Sequence, residues 1–189
     1  MNSALCNLAT QTNGDISISV IGPVRSGKST FVSNFLQKVV IPRVDNDKDR
    51  ERCRNEMPQT FGGKAVVTIQ PQVVPSKGVN ISFEESKHAN IQLIDSVGYP
   101  ISGAEGIIVE DGVRKITTPW SNDPLEFEMA SKVCAQKLSS DLSNVVIIVT
   151  SDGSFVDIAR DSYALAEEKI LLDIKKCGKP IVAVFNTTA

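Results

Sequence analysis

Residues 22–29 read Gly-Pro-Val-Arg-Ser-Gly-Lys-Ser and match the pattern GxxxxGK[ST]. Residues 16–21 before them alternate isoleucine and serine and then end in two apolar residues, which indicates a β-strand, and residues 30–36 carry apolar side chains at helical spacing. A strand, a glycine-rich turn and a helix N-terminus in this order form the phosphate-binding loop of nucleoside triphosphatases. The stretch therefore predicts an α/β fold that binds a nucleotide.

Each residue type in this loop has a physical role. Gly22 and Gly27 allow the backbone torsions that turn successive N–H groups toward phosphate oxygens. Lys28 is expected to contact the β- and γ-phosphates and Ser29 to bind Mg²⁺. Arg25 either reaches phosphate or is solvated. The residues expected to bind nucleotide here are Gly22, Pro23, Val24, Arg25, Ser26, Gly27, Lys28, Ser29 and Thr30.

Composition narrows the class of protein. The chain has 189 residues, 41% of them hydrophobic, with a net charge of -2, so we expect one domain and no direct nucleic-acid partner. The four cysteines lack CxxC spacing and His88 is the only histidine, which argues against a disulfide framework or a zinc site. No signal peptide and no run of about 20 apolar residues is evident. We expect a cytoplasmic chain with no membrane span of its own.

The rest of the chain alternates predicted strands and helices. Residues 79–83 and 91–94 flank a polar stretch containing Glu84, Glu85, Lys87 and His88, which predicts a hairpin. Residues 45–56 are dense in charge of both signs and predict a solvated helix or loop.

The second half predicts buried strands around one helix. Residues 145–149 form an apolar run typical of a central parallel strand, and residues 181–185 predict another buried strand. Between them, residues 160–177 show helical spacing that ends at Gly178. This alternation predicts a mainly parallel sheet with the nucleotide at the carboxyl ends of the strands.

A second chemical motif, Asp95-Ser96-Val97-Gly98, closes the second hairpin strand. Asp95 is expected to hold Mg²⁺ through water, and the Gly98 N–H to meet the γ-phosphate. Translation-factor GTPases often place a water-orienting glutamine next, but here the residue is Tyr99. Another group must then hold the water. Thr60 and Thr68 are the alternatives, although Thr68 also fits an ordinary strand threonine.

The motif that specifies guanine is also missing. Where guanine-binding proteins have NKxD after a strand, residues 186–189 read Asn-Thr-Thr-Ala. Without that carboxylate, guanine loses a charge-assisted contact, so the sequence favours ATP or weak base selection.

Several further motifs make the chain resemble the N-terminal ATPase domain of the stage IV sporulation protein A family, which shapes the spore coat of endospore-forming bacteria. The likeness runs from about residue 14 to residue 186. Besides the loop, it rests on these stretches: Asp95-Ser96-Val97-Gly98-Tyr99, Thr118-Pro119-Trp120, Asp152-Gly153, Asp157-Ile158-Ala159-Arg160 and Gly178-Lys179-Pro180.

The resemblance implies a fold and an activity. The fold is a P-loop NTPase of the translation-factor-related class, with a mainly parallel sheet, helices on both faces and one antiparallel hairpin strand. ATP hydrolysis with Mg²⁺ would drive self-association into a static polymer on the forespore surface, on the mother-cell side. The implied partners are a small amphipathic membrane-anchoring coat protein and other coat proteins.

The resemblance also implies residue roles. Lys28 matches the phosphate-binding lysine, Ser29 the magnesium ligand and Asp95 the acidic metal-linked residue. Thr68 matches the first of two adjacent threonines used in hydrolysis, and Ile69 replaces the second. Lys28, Thr68 and Asp95 are thus the expected catalytic residues.

The expected organisation is one ATPase domain over residues 1–189, with residues 1–14 as an N-terminal extension and the last strand and helix of the domain missing. Residues 101–122 are in the position of a second switch. Trp120 in this segment either anchors an assembly surface that γ-phosphate controls or packs on its own domain. Two other functions stay open: a nucleotide-binding scaffold without turnover, and a translation-factor-type GTPase.

Overall fold

The computed structural model describes residues 2–60, 62–66, 68–83 and 88–188, with residues 2–6 described as backbone only. The strands are β1 (Asp15–Ile21), β2 (Gln72–Ser82), β3 (His88–Asp95), β4 (Ile108–Val109), β5 (Gly112–Val113), β6 (Lys115–Ile116), β7 (Leu125–Glu126), β8 (Val145–Ser151) and β9 (Ile181–Asn186). The helices are α1 (Asn2–Gln11), α2 (Lys28–Phe35), α3 (Asp47–Asn55), α4 (Phe127–Lys137) and α5 (Arg160–Ile174). α2 and α4 each continue into a π-helical turn.

The central sheet has five strands in the order β2-β3-β1-β8-β9. β1 pairs in parallel with β3 and β8, and β8 pairs in parallel with β9, whereas β2 runs antiparallel to β3. The predicted mainly parallel sheet with one antiparallel hairpin strand is confirmed. Because parallel strands end at the same edge of a sheet, Ile21, Asp95, Ser151 and Asn186 are brought to one side of the molecule.

Helices cover both faces of this sheet, as predicted. Along β8, Ile147 and Val149 join a core shared with α2 and α3, while Val146 and Ile148 join a second core shared with α4 and α5. Successive side chains of a strand point to opposite faces, so an uninterrupted apolar run is what a strand between two helical layers requires.

The predicted hairpin is β2 and β3, and its first strand is longer than the sequence suggested. β2 begins at Gln72 and its register shifts between Val74 and Val79, on either side of the cis Val74–Pro75 peptide bond. A bulge accommodates the proline because a proline cannot donate to the ladder. The polar connection at residues 84–87 lies outside the described residues.

The prediction that residues 181–185 form a buried strand is wrong. These residues do form β9, but Ile181, Val182 and Phe185 are 40%, 49% and 54% exposed. β9 pairs with β8 on one side and is the edge of the sheet in the described part of the chain. An apolar run shows that a strand can be buried. Whether it is buried depends on which elements the fold packs against it.

Two charged or irregular segments take definite forms. The charged stretch 45–56 contains α3 (Asp47–Asn55), whose N-cap residue Asn46 accepts a hydrogen bond from the Lys48 N–H. Residues 101–126 contain two short hairpins, β4–β5 and β6–β7. Trp120 in this segment is half-buried and packs against the α4–α5 core, which favours the prediction that it packs on its own domain.

Within the described ranges, no helix has the length and apolarity needed to cross a membrane.

Candidate nucleotide-binding site

The loop of residues 22–29, called the glycine loop below, joins β1 to α2 at the carboxyl edge of the sheet. Gly27 has a φ of 93° immediately before the helix begins at Lys28. The first helical bond runs from Phe31 N to the Gly27 carbonyl at 2.8 Å, so the N–H groups before Phe31 have no partner within the helix. Those N–H groups and the helix dipole make this end of α2 attractive to an anion.

Two glycines are required because backbones meet closely here. A Cβ on Gly22 would lie 2.0 Å from the carbonyl oxygen of Val149 in β8. A Cβ on Gly98 would lie 2.6 Å from Lys28 Nζ and 2.7 Å from the Val24 nitrogen. The segment after β3 is therefore in direct contact with the glycine loop, as the two predicted motifs require.

Backbone hydrogen bonds hold these two segments together. Val24 N donates to the Tyr99 carbonyl at 2.8 Å, and Tyr99 N donates to the Gly22 carbonyl at 3.1 Å. The Tyr99 hydroxyl donates to Asp173 Oδ2 in α5 at 2.9 Å. The phenol is thus buried toward α5, which agrees with the expectation that it does not orient an attacking water.

Lys28 and Asp95 are both buried and interact electrostatically. They are 6% and 1% exposed, and Lys28 Nζ donates to the Pro23 carbonyl at 2.7 Å. Burial lowers the pKa of Lys28 to about 8; nearby Asp95 opposes this shift and Arg25 adds to it. Burial raises the pKa of Asp95, while Lys28 and the hydrogen bond from Ser29 oppose the rise. A phosphate anion bound beside this lysine would favour its protonated form and raise its pKa again.

Three hydroxyl and carboxylate groups meet beside Lys28. Ser29 Oγ donates to Asp95 Oδ2 at 2.5 Å, and Thr68 Oγ1 lies 3.3 Å from Ser29 Oγ. They come from the start of α2, the end of β3 and the segment between α3 and β2. The structure therefore brings together the expected magnesium ligand, the expected metal-linked carboxylate and the favoured threonine.

These groups fit Mg²⁺. Asp95 Oδ1 is buried and has no hydrogen-bond partner among the described residues. Carboxylate and hydroxyl oxygens suit Mg²⁺, which keeps several waters and binds through one or two protein ligands plus substrate phosphates. Ser29 and Asp95 would hold the ion.

Two cavities that share Ser29, Gln59 and Thr68 lie on this side of the sheet. The first is lined by Val24, Arg25, Gly27, Lys28, Ser29, Thr30, Gln59, Thr60, Gly62, Gly63, Val66, Thr68, Gly98, Phe155 and Val156. Asp95 lines the second. Thr60 also lines the first cavity, but only Thr68 is described in contact with Ser29. Gly22, Pro23 and Ser26 are buried within the glycine loop.

Sequence reasoning missed two side chains that support the glycine loop. Asn186 Nδ2 donates to the Ser26 carbonyl at 3.2 Å, and the Tyr163 hydroxyl donates to the Arg25 carbonyl at 3.1 Å. Asn186 opens the stretch that departs from NKxD, and Tyr163 lies within residues 160–177, where the spacing predicts only a helix. Both contacts span more than 130 residues of sequence, so spacing carries no signal for them.

Comparison with known proteins identifies the family of this chain. The model of the family described as stage IV sporulation protein A, ATPase domain, matches residues 2–189. The chain belongs to the stage IV sporulation protein A family. Proteins named stage IV sporulation protein A from Bacillus anthracis and Bacillus subtilis are each 39% identical over 96% of this chain. One from Clostridioides difficile is 39% identical over 98% of it.

These relatives are much longer than the stretch they share with this chain. The match covers 37% of the two Bacillus proteins and 38% of the Clostridioides difficile protein. The part that this chain shares with the family is its ATPase domain, which implies nucleotide binding.

Proposed function

We propose that this protein binds ATP with Mg²⁺ and hydrolyses it to ADP and phosphate, and that hydrolysis drives its self-assembly into the base layer of the spore coat. The observation that carries the proposal is the contact of Ser29 with both Asp95 and Thr68 beside the buried Lys28. Phosphoryl transfer needs positioning and charge stabilisation more than covalent chemistry, and this cluster supplies both.

The reaction assigns one task to each group. Water attacks the γ-phosphorus, the bond to the β–γ bridging oxygen breaks with its electron pair on ADP, and the water proton passes to phosphate and solvent. Lys28 and the N–H groups at the start of α2 bind the β- and γ-phosphates. Thr68 positions the water. Mg²⁺, when bound by Ser29 and Asp95, neutralises charge on the phosphate oxygens.

A translation-factor-related ancestry fits the topology. β2 is antiparallel to its neighbour β3. The segment before β2, which contains Thr68, is the proposed first switch. The second switch is residues 101–122. Backbone bonds link the two segments: Glu105 N donates to the Lys64 carbonyl at 3.0 Å and Val66 N to the Glu105 carbonyl at 2.9 Å.

ATP is favoured over GTP by the segment after β9. Thr187 donates to Asp152 Oδ2 at 2.6 Å, and the Ser154 N–H donates to Asp152 Oδ1 at 2.9 Å. The Ser154 hydroxyl also donates to this carboxylate and has the largest effect. Together these hydrogen bonds lower the pKa of Asp152 to about 2. The carboxylate is thus engaged within the protein, and residues 186–188 supply no other to the edge of a guanine.

We propose the cellular setting on the basis of membership in the family. We place the protein in the cytoplasm of the mother cell at the outer forespore surface, self-associated into a polymer. A small amphipathic membrane-anchoring coat protein and other coat proteins are the proposed partners.

The test is phosphate release from ATP and from GTP with Mg²⁺, by the wild-type protein and by Lys28→Ala. Lys28-dependent turnover that prefers ATP supports the proposal. Thr68→Ala should lower turnover about 10- to 100-fold and change the Kd for ADP much less, while Thr68→Ser should keep turnover because it keeps the hydroxyl.

Other outcomes select the alternatives. Tight ATP binding without turnover would favour a nucleotide-binding scaffold, to which Ile69 at the second threonine position lends weight. A preference for GTP would favour a translation-factor-type GTPase and would contradict the base-selection argument.

A further inference from the structure

Phosphoryl transfer in this site needs a group that stabilises the negative charge of the transition state. The transition state of phosphoryl transfer spreads negative charge over the γ-phosphoryl oxygens and the leaving oxygen, and related NTPases meet it with an arginine supplied in cis or in trans. The residue after the Asp95–Gly98 motif is Tyr99, whose hydroxyl is bonded to Asp173, so it does not serve the cavity. A cation within reach of the phosphates is the missing element.

Arg25 is placed where this element is needed. It lies inside the glycine loop and lines the same cavity as Lys28, Ser29 and Thr68. Its backbone is in the left-handed region, with a φ of 57°, and its carbonyl accepts the hydrogen bond from Tyr163 in α5. This contact ties the Arg25 backbone to α5, so the point from which the side chain extends is held by the fold as well as by the loop.

The charges that line the cavity favour an anion. Arg25 and Lys28 both line this cavity, and burial lowers the pKa of Arg25. Two cations that share a partly buried cavity destabilise each other in the absence of ligand. A polyphosphate reverses this penalty, because each cation then interacts with negative charge at short range.

We propose that Arg25 is a catalytic residue that contacts the β–γ phosphate oxygens and stabilises the charge that develops on them as the γ-phosphoryl group is transferred to water. This inference rests on the proposed ATPase function. The guanidinium exchanges no proton: the bond to the bridging oxygen breaks with its electron pair on ADP, and Arg25 lowers the energy of that charge. Lys28 supplies binding in the ground state, and Arg25 acts more strongly in the transition state.

The experiment separates transition-state from ground-state binding. Arg25→Gly suits the left-handed backbone and removes the side chain, and Arg25→Lys keeps the charge but loses the planar fork. Arg54→Ala is the matched control, since Arg54 is an exposed arginine in α3 and does not line the first cavity. Two quantities are measured for each variant: kcat for phosphate release, and the Kd of Mg-ADP with and without fluoroaluminate, which mimics the transferring group.

We expect Arg25→Gly to lower kcat by at least about 100-fold, since an arginine in this role contributes about 10³ to 10⁵ in related enzymes. Its Kd for Mg-ADP alone should change less than about threefold, and the tightening by fluoroaluminate should be lost. Arg25→Lys should restore only part of the tightening. Arg54→Ala should match the wild type in both measurements.

Three results would overturn the inference. Wild-type kcat in Arg25→Gly would show that the side chain is not needed, and an equal loss of ADP affinity with and without fluoroaluminate would assign it to ground-state binding. Both leave the proposed function standing when the wild type hydrolyses ATP. A wild-type protein that neither releases phosphate nor binds ADP more tightly with fluoroaluminate would overturn the proposed function together with this inference.

Discussion

Asn186, at the end of β9, donates a hydrogen bond of 3.2 Å from Nδ2 to the carbonyl oxygen of Ser26. A Cβ on Gly27 would lie only 2.4 Å from the same nitrogen. The last strand of the described sheet therefore supports the glycine loop at the point where the loop enters α2. Asn186, the first residue of the stretch that differs from NKxD, thus has a structural role in this protein.

Loss of the hydrogen bond from Asn186 to Ser26 should weaken nucleotide binding to the same extent whichever base the nucleotide carries. We expect Asn186→Ala to raise the Kd of ATP and of ADP by up to about tenfold, because one hydrogen bond contributes about 1 kcal/mol. Titration calorimetry measures both values. Asn80→Ala, at an exposed position of β2, is the control and should bind as the wild type does. Equal affinities for the Asn186 and Asn80 variants would contradict the role.

Gly98→Ala should close the site by overpacking. The added methyl group would overlap Lys28 Nζ and the Val24 nitrogen, and displacing backbone in a packed region costs about 1 to 3 kcal/mol. We expect ATP affinity to fall at least about tenfold.

A second glycine separates this effect from general destabilisation. Gly178 has a φ of 67° with open space around it, so Gly178→Ala should lower the free energy of unfolding by about 1 kcal/mol through backbone strain and leave the Kd of ATP unchanged. Thermal denaturation and ATP titration of both variants make the comparison. The steric argument is refuted if Gly98→Ala binds ATP as tightly as Gly178→Ala does.

ATP affinity should depend on pH through Lys28. In the nucleotide-free protein, burial lowers the pKa of this lysine to about 8, which Asp95 raises and Arg25 lowers further. Bound phosphate favours the protonated lysine, so the Kd of ATP should increase as pH rises above about 8, with a slope that approaches tenfold per pH unit. Arg25→Gln removes the repelling charge and should move the onset to higher pH. A Kd that stays constant from about pH 7 to 9.5 would rule out this titration.

Residues 101–122 should respond to the γ-phosphate if they form the second switch. Trp120 is half-buried against the α4–α5 core, and Glu105 bonds to the segment that carries Thr68, so a movement of either switch should reach the indole environment. We expect Trp120 fluorescence and the protease sensitivity of this segment to differ between Mg-ATP and Mg-ADP. The Lys28→Ala protein should show no difference. Identical signals in both nucleotide states of the wild type would end the switch hypothesis.

Local pattern was enough to predict the parts of the site that lie next to one another in sequence. The order of strand, glycine loop and helix around Lys28, and the Asp95–Gly98 motif at the end of a strand, follow from torsional and hydrogen-bonding requirements that a few adjacent residues meet. The helices on both faces and the antiparallel hairpin were also predictable, because the periodicity of apolar residues reports which faces are buried.

The tertiary structure decided what lies against these parts. The exposure of Phe185 depends on whether another layer covers β9, and the contacts of Asn186 with Ser26 and of Tyr163 with Arg25 join segments far apart in the chain. The sequence alone determined which functional groups are available to this protein, because each residue type brings its own side-chain chemistry. The fold determined which groups meet, because distance and burial set the strength of every interaction between them.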